Sequence, residues 1–579
     1  MKKRLPFFGL VIILALFFSA CTGANATATQ TAGTSGGVNP AGGDSALATG
    51  SPFAATAAPA STATTQAAAA EPTSAPTVAP TQESASAPRQ VGPQLADFPA
   101  GINSLTGLPV TDPALLNLPA IMISIPNFPV TARPQAGLSF APWTFEIYIG
   151  NGESRFLTAF YGEQPQATAS LHGSCKVRTD PFVPGAVVLG RRAWLDVNQN
   201  GIQDPNEPGI AGICVSLYDA NGNTLQTSST DSNGFYGFNV EHGQVYVLGF
   251  EKPDGLAFTA ANVGLENLDS DVDPLSGKTG SVSPAASELV WDAGYVQAVT
   301  PTEPAATVGS STPTSASDNS ANNADLPPAD VGPIRSMRLP YGKIGKFFQG
   351  GCLVSASGDP SVLAQVPGCK YVFGDDTSVN DAVLKITDLQ SLAEKNKTSY
   401  PINYSGNLFD ATAPAGGAPA SQVNALWNWQ NQSLFRYDPL SGAYQRFANT
   451  PDSPLAFTPQ TDRLNGDQLL YDNVIVMYVD YIAQAETLMN INLETGNMGR
   501  SDLFRNGQLY HIYWNTVAQS YEQQTQLARP IRFTDAKGNP MALAPGHTWV
   551  LVFTTASVTY EKTPASGLWT AEFHAPIVP

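Results

Sequence analysis

The chain has 579 residues, more than a single hydrophobic core can organise, so several modules are expected. Lys and Arg number 29 against 47 Asp and Glu, and the net charge of -18 repels phosphate backbones, which argues against nucleic acid as a partner. Charged residues make up only 13% while long tracts are Ala, Thr, Ser, Gly and Pro, the composition of an exported protein with spacers.

The chain opens "MKKRLPFFGLVIILALFFSAC". Lys2, Lys3 and Arg4 precede an apolar run from Leu5 to Phe18 that is too short to span a bilayer, so residues 1–20 read as an export signal. Phe18-Ser19-Ala20-Cys21 resembles a bacterial lipobox, with Phe where Leu is usual. That resemblance implies lipidation of Cys21 and attachment to the cell membrane on its extracytoplasmic face, acyl chains gaining about 0.8 kcal/mol per buried methylene. Residues 21–95 hold one aromatic, Phe53, and cannot bury enough apolar area to offset ordering entropy, so they read as a disordered tether.

Residues 96–170 carry "AIMISI", "TFEIYIG" and "SRFLTAFYG", short strands divided by Pro and Gly. Residues 183–297 show turn signals "DANG", "DSNG" and "EHG" at short intervals, and Ile213, Val215 and Leu217 alternate with Cys214, Ser216 and Tyr218. Period 2 with that spacing predicts an antiparallel β-sandwich of immunoglobulin size. Residues 298–330 repeat the composition of the tether and form a second linker. Residues 331–430 and 431–579 mix strands ("DNVIVMYVDYI", "HTWVLVFTT") with one helical segment, "DAVLKITDLQSLAEKNK", which points to an α+β host with a small, mostly-β C-terminal part. Four cysteines remain besides Cys21, an even number for an oxidising compartment. A disulfide is expected between Cys352 and Cys369; Cys214 suits a small buried hydrophobe, and its pairing with Cys175 is left open.

"DVNQNGIQDPNE", residues 196–207, spaces oxygen donors as a calcium loop does. Asp196, Asn198 and Asn200 alternate, Gly201 permits the sharp turn, Ile202 offers its carbonyl, Asp204 a further ligand and Glu207 two oxygens. The preceding "AVVLGRRAWL" is a strand, so this loop chemistry stands in a β context. With "TDSNGFYGF", "DSDVD" and "WDAGYV" the stretch resembles the SD-repeat B-type domain of bacterial surface adhesins. That resemblance implies a calcium-stabilised sandwich used as a rigid spacer, and suggests a second site at Asp269, Asp271 and Asp273.

The flanking segments, among them "ARPQAGLSF", "SRFLTAFYG", "VGPIRSMRLPYGKI" and "LAPGHTWVLVF", resemble the YerB-like bacterial lipoprotein family, a domain pair of unknown function. The sandwich and its linker then occupy a surface loop of the first domain, where closure entropy tolerates long insertions. Arg133, Arg155, Arg335 and Arg338 fall in motif positions. They are candidates for binding a cell-wall or other anionic envelope polymer, or braces for loops through carbonyls and acids such as Glu146 or Glu153. No G-x-S-x-G or phosphate loop is present, and His511 and His547 sit in strand and turn edges, so no enzyme is expected. The competing reading is an envelope enzyme acting on cell-wall glycan or a phosphate-bearing polymer.

Overall fold

A computed structural model of the chain describes residues 92–168, 171–298, 330–374 and 378–578. The expected signal, Cys21, the tether up to residue 91 and linker residues 299–329 lie outside the described residues. Among the described residues, no helix is long and apolar enough to cross a membrane.

The host opens with β1 (Ile121–Pro126), β2 (Trp143–Gly150) and β3 (Glu153–Phe160). β2 and β3 form a hairpin whose two-residue turn, Asn151-Gly152, has φ of 51° and 77°. Both values are positive, as the turn that matches strand twist requires, and Asn-Gly is the pair that adopts it most readily. These three runs are buried along nearly their whole length because they belong to one 11-stranded sheet of host strands, drawn from between residues 121 and 554 and covered on both faces. Ile121, Ile123, Phe156, Trp549 and Leu551 fill one face. Met122, Phe145, Leu157, Val550 and Val552 fill the other, the alternation that period 2 dictates.

In this sheet β2 lies parallel to Thr548–Thr554, from Trp143 opposite Thr548 to Ile147 opposite Val552. The first and last parts of the host therefore share one core. The division expected between residues 430 and 431 falls in the tight turn joining Gln422–Asn428 to Asn431–Asp438, where Asn428 pairs with Asn431. A seven-stranded second sheet contains this hairpin.

The insert comprises β4 (Val188–Leu195), β5 (Cys214–Asp219), β6 (Thr224–Ser229), β7 (Phe235–Asn239), β8 (Tyr246–Phe250), β9 (Leu256–Phe258) and β10 (Ala293–Gln297). Its sheets, ordered β7-β4-β10-β9 and β6-β5-β8, enclose a core of their own including Leu189, Val215, Leu217, Leu248 and Tyr295. One feature corrects the antiparallel expectation: β10 runs parallel to β4, Ala293 opposite Ala193.

Past the insert come α1 (Leu339–Gly345), β11 (Cys352–Ser355), α2 (Pro360–Gln365), β12 (Lys370–Tyr371) and α3 (Ile386–Lys395). α3 lies within the expected helical segment and buries Leu389, Leu392 and Ala393, spaced for one helix face. Disulfides join Cys352 to Cys369 and Cys175 to Cys214, with Cα separations of 5.4 and 5.2 Å. Cys214 is thus a cross-link rather than a free hydrophobe; its partner lies 39 residues earlier, before the sandwich strands begin.

Candidate functional site

Asp196 follows β4 directly, and its buried carboxylate organises the loop. Asp196 Oδ2 accepts from Gly201 N at 2.8 Å and Thr259 Oγ1 at 2.5 Å, while Oδ1 accepts from Asn200 N at 3.1 Å. Gly201 has φ of 79°, and a Cβ there would meet Val263 at 2.9 Å, so glycine is needed at the sharp turn. Asn198 and Asn200 each accept a backbone N–H two residues on, at 3.0 and 2.7 Å, the local bonds that shape Asx turns. Their amide nitrogens converge on Asp204 Oδ2 at 2.6 and 3.0 Å. Glu207 closes the loop, accepting from Val197 N at 2.8 Å and Asp204 N at 3.1 Å. Five expected side chains therefore gather around one turn, with the Ile202 backbone between them.

The donor set suits a hard cation. No basic side chain among the described residues is ion-paired with Asp196, Asp204 or Glu207. Burial, with Asp196 and Asp204 nearby, pushes the Glu207 carboxyl up to about 8. Carboxylate, amide and carbonyl oxygens at this spacing would hold calcium, which would neutralise these acids and tie the two ends of the loop together. Among the described residues, no three His, Cys, Asp or Glu side chains stand together in a metal-holding group, so such a site would also need the amide oxygens of Asn198 and Asn200, whose nitrogens here face Asp204, to turn towards the ion.

The second acidic run packs against the first loop: Ile202 bridges Asp269, and Gln203 N donates to Leu268 O at 2.6 Å. Asp269 accepts from Gly264 N at 2.8 Å, and Asp271 from Asp292 N at 2.6 Å. Burial, then Asp292, Glu266 and Asp269, push the Asp271 carboxyl up to about 8. Asp273 is set apart; it is exposed and caps its own turn, accepting from Leu275 N, Ser276 N and Ser276 Oγ. Asp292 and Glu266 were not singled out in the sequence, although Asp292 lies in the quoted "WDAGYV" motif. Asp292 is also bound by Arg191 Nη1 at 2.5 Å.

The four host arginines divide. Arg133 donates to Asn127 O, Asn127 Oδ1 and Asn449 O at 3.2, 2.6 and 2.7 Å and lies over the Phe128 ring, bracing loops. Arg155 and Arg335 instead line one cavity of about 550 Å³ with Glu153, Phe128, Val379 and Pro451. Arg155, on β3 and 7% exposed, donates to Ser336 Oγ at 2.9 Å, and its buried Nε has no partner. Burial first, then Arg338 and Arg335 nearby, lower its guanidinium to about 10. Arg335 donates to Asn380 Oδ1 at 2.7 Å, and Arg338 Nε is buried without a partner. Among the described residues, neither Arg155 nor Arg338 forms an ion pair.

The histidines lie elsewhere. His511 Nδ1 is 2.6 Å from Asp502 Oδ1, whose Oδ2 accepts from Tyr478 OH at 2.8 Å. The contact with Asp502 raises the imidazole's pKa. His547 is pushed down to about 4 by burial.

Residues 187–295 match the family described as SdrD B-like domain, and residues 423–550 match the C-terminal domain of a protein of unknown function, DUF3048. The chain is 48% identical over 77 residues to serine-aspartate repeat-containing protein F of Staphylococcus epidermidis, covering 13% of this chain and 5% of that protein. It is 37% identical over 107 residues to serine-aspartate repeat-containing protein D of Staphylococcus aureus, covering 18% and 8%. The chain thus spans less than a tenth of the length of the curated relatives it matches. A crystal structure of the YerB protein from Bacillus subtilis aligns with 78% of this chain and 95% of its own, at 13% identity and a TM-score of 0.40.

Proposed function

We propose that this chain is a surface-displayed binding or scaffolding protein of the cell envelope, tethered through a lipid on Cys21, stiffened by calcium in the inserted sandwich, and able to hold an anionic envelope polymer. The similarity of residues 187–295 to the B-like domain of serine-aspartate repeat proteins supports the surface role. What carries the ligand assignment is Arg155: a nearly buried guanidinium with an unpartnered Nε, beside two other arginines, at the wall of an open cavity. Placing like charges together in low dielectric is costly, and a phosphate or carboxylate offsets that cost with charge-assisted bonds to planar donor forks.

The test is retention of purified protein on cell-wall fractions, with and without chelator, against Arg335→Ala. Losing one charge-assisted bond of at least about 1.5 kcal/mol weakens retention tenfold or more. Equal retention of both proteins, or of neither, contradicts the anion site. A second reading, an enzyme acting on cell-wall glycan or a phosphate-bearing polymer, draws on Glu153, a carboxylate lining the same cavity. It requires wall fragments or phosphate to be released during that incubation, and release to stop in Glu153→Gln.

A further inference from the structure

The 196–207 loop has a second face. One face gathers the oxygen donors from Asp196 to Glu207; on the other, the chain beyond Ile202 also runs along the host. Asn206 Nδ2 donates to Glu163, whose other oxygen accepts Thr111 N at 3.0 Å. Gly209 N donates to Asp467 Oδ2 at 3.4 Å, and Arg192 reaches the same carboxylate at 3.8 Å. Arg192 also donates to the carbonyl of Glu207 at 3.1 Å and to that of Asn233 at 2.9 Å. Asn233 Nδ2 completes the set by donating to Gln468 O at 2.7 Å. These contacts are desolvated: Asn233 is 3% exposed, and Asp467 and Gln468 are each 7% exposed. Beside them lies a cavity of about 470 Å³ between the modules, walled by Gln203, Asn206 and Glu207 on one side and by Asp467, Asp472 and His547 on the other.

We propose that the calcium loop is also the docking surface by which the sandwich is held to its host, so that cation binding and docking strengthen each other. This rests on the calcium reading above. The coupling runs through Glu207, which contributes its carboxylate to the loop centre and its carbonyl to Arg192, the residue facing Asp467. Fixing the carboxylate on a cation fixes the carbonyl that aims Arg192 at the host. Reciprocity then requires the host contacts to tighten cation binding by the same factor.

The experiment uses the full chain and Ca²⁺ alone, followed by titration calorimetry and amide hydrogen exchange. Asn233→Ala removes a host contact without changing charge and is not among the loop's donors. It is expected to weaken calcium affinity about fivefold or more. Calcium is expected to protect host residues 462–468 from exchange in the parent protein, and less so in the variant. Equal affinities and calcium-independent exchange at 462–468 overturn the docking role while leaving the loop a metal site. Absence of calcium uptake by the parent overturns the reading beneath it. Should Asn233→Ala fail to fold, Asn206→Ala, at a half-buried position that contributes no metal donor, is measured in the same way with the same outcomes.

Discussion

At the scale of single residues, buried acids govern the response to pH. Glu207 and Asp271 are pushed up to about 8 and Asp292 to about 7, against ordinary values of 4.5 and 3.8. Between those limits the native state keeps protons that the unfolded chain has released. The stability they give is complete below about pH 4 and is lost as pH rises through 7 to 8. In chelator, the melting temperature of the insert should therefore fall from pH 5 to pH 8, and calcium should remove the fall by taking the place of the protons. A melt in chelator that rises over this range contradicts the arrangement. His547 has the opposite sign. Its folded pKa of about 4 lies below 6.5, so its contribution is complete above pH 6.5 and lost as pH falls towards 4. His547→Gln should flatten that part of the host's acid limb, worth about 3 kcal/mol at most, in thermal melts between pH 4 and 7. The clustering of the loop's polar side chains was legible because the loop is local, with five of them spread over twelve residues. Asp292, Glu266 and Glu163 were not, because only folding brings them to the loop's surroundings.

Among the elements, what could be read is likewise what is local. The runs "AIMISI", "TFEIYIG" and "SRFLTAFYG" are strands, and α3 occupies the segment whose apolar spacing called for a helix. Parallel pairing was hidden: nothing near Trp143–Gly150 announces Thr548–Thr554 as its neighbour, and nothing in β10 announces β4. Continuous burial of such strands, rather than alternation, is the mark of a sheet covered on both faces, and it does not name the partner. Cys175 was opaque for a related reason, since it lies outside the regular strands it secures. A cross-link spanning 39 residues stabilises by about 4 kcal/mol in the chain-entropy account. Cys175→Ser should therefore lower the insert's melting transition markedly and leave the host's in place, as calorimetry can resolve.

Taken as a whole, the molecule is a host whose early and late segments share one sheet, carrying a sandwich with a separate core. A fragment ending at residue 430 would lose the Thr548–Thr554 partner of β2 and expose Phe145, Ile147 and their neighbours. It should aggregate, whereas co-expression with residues 431–579 should restore solubility; a soluble, cooperatively melting fragment would show instead that the first part has a core of its own. The sandwich closes on seven strands, and its polar loop lies against the host surface. Calcium in that loop is the claim on which the stiffness of the inserted spacer depends. Scanning calorimetry of the full chain, once in Ca²⁺ and once in EGTA, tests it most directly. The account predicts one transition that moves upward with Ca²⁺ in the parent protein and does not respond to Ca²⁺ in Asp196→Ala. Superimposable scans of the parent protein in the two buffers would contradict it.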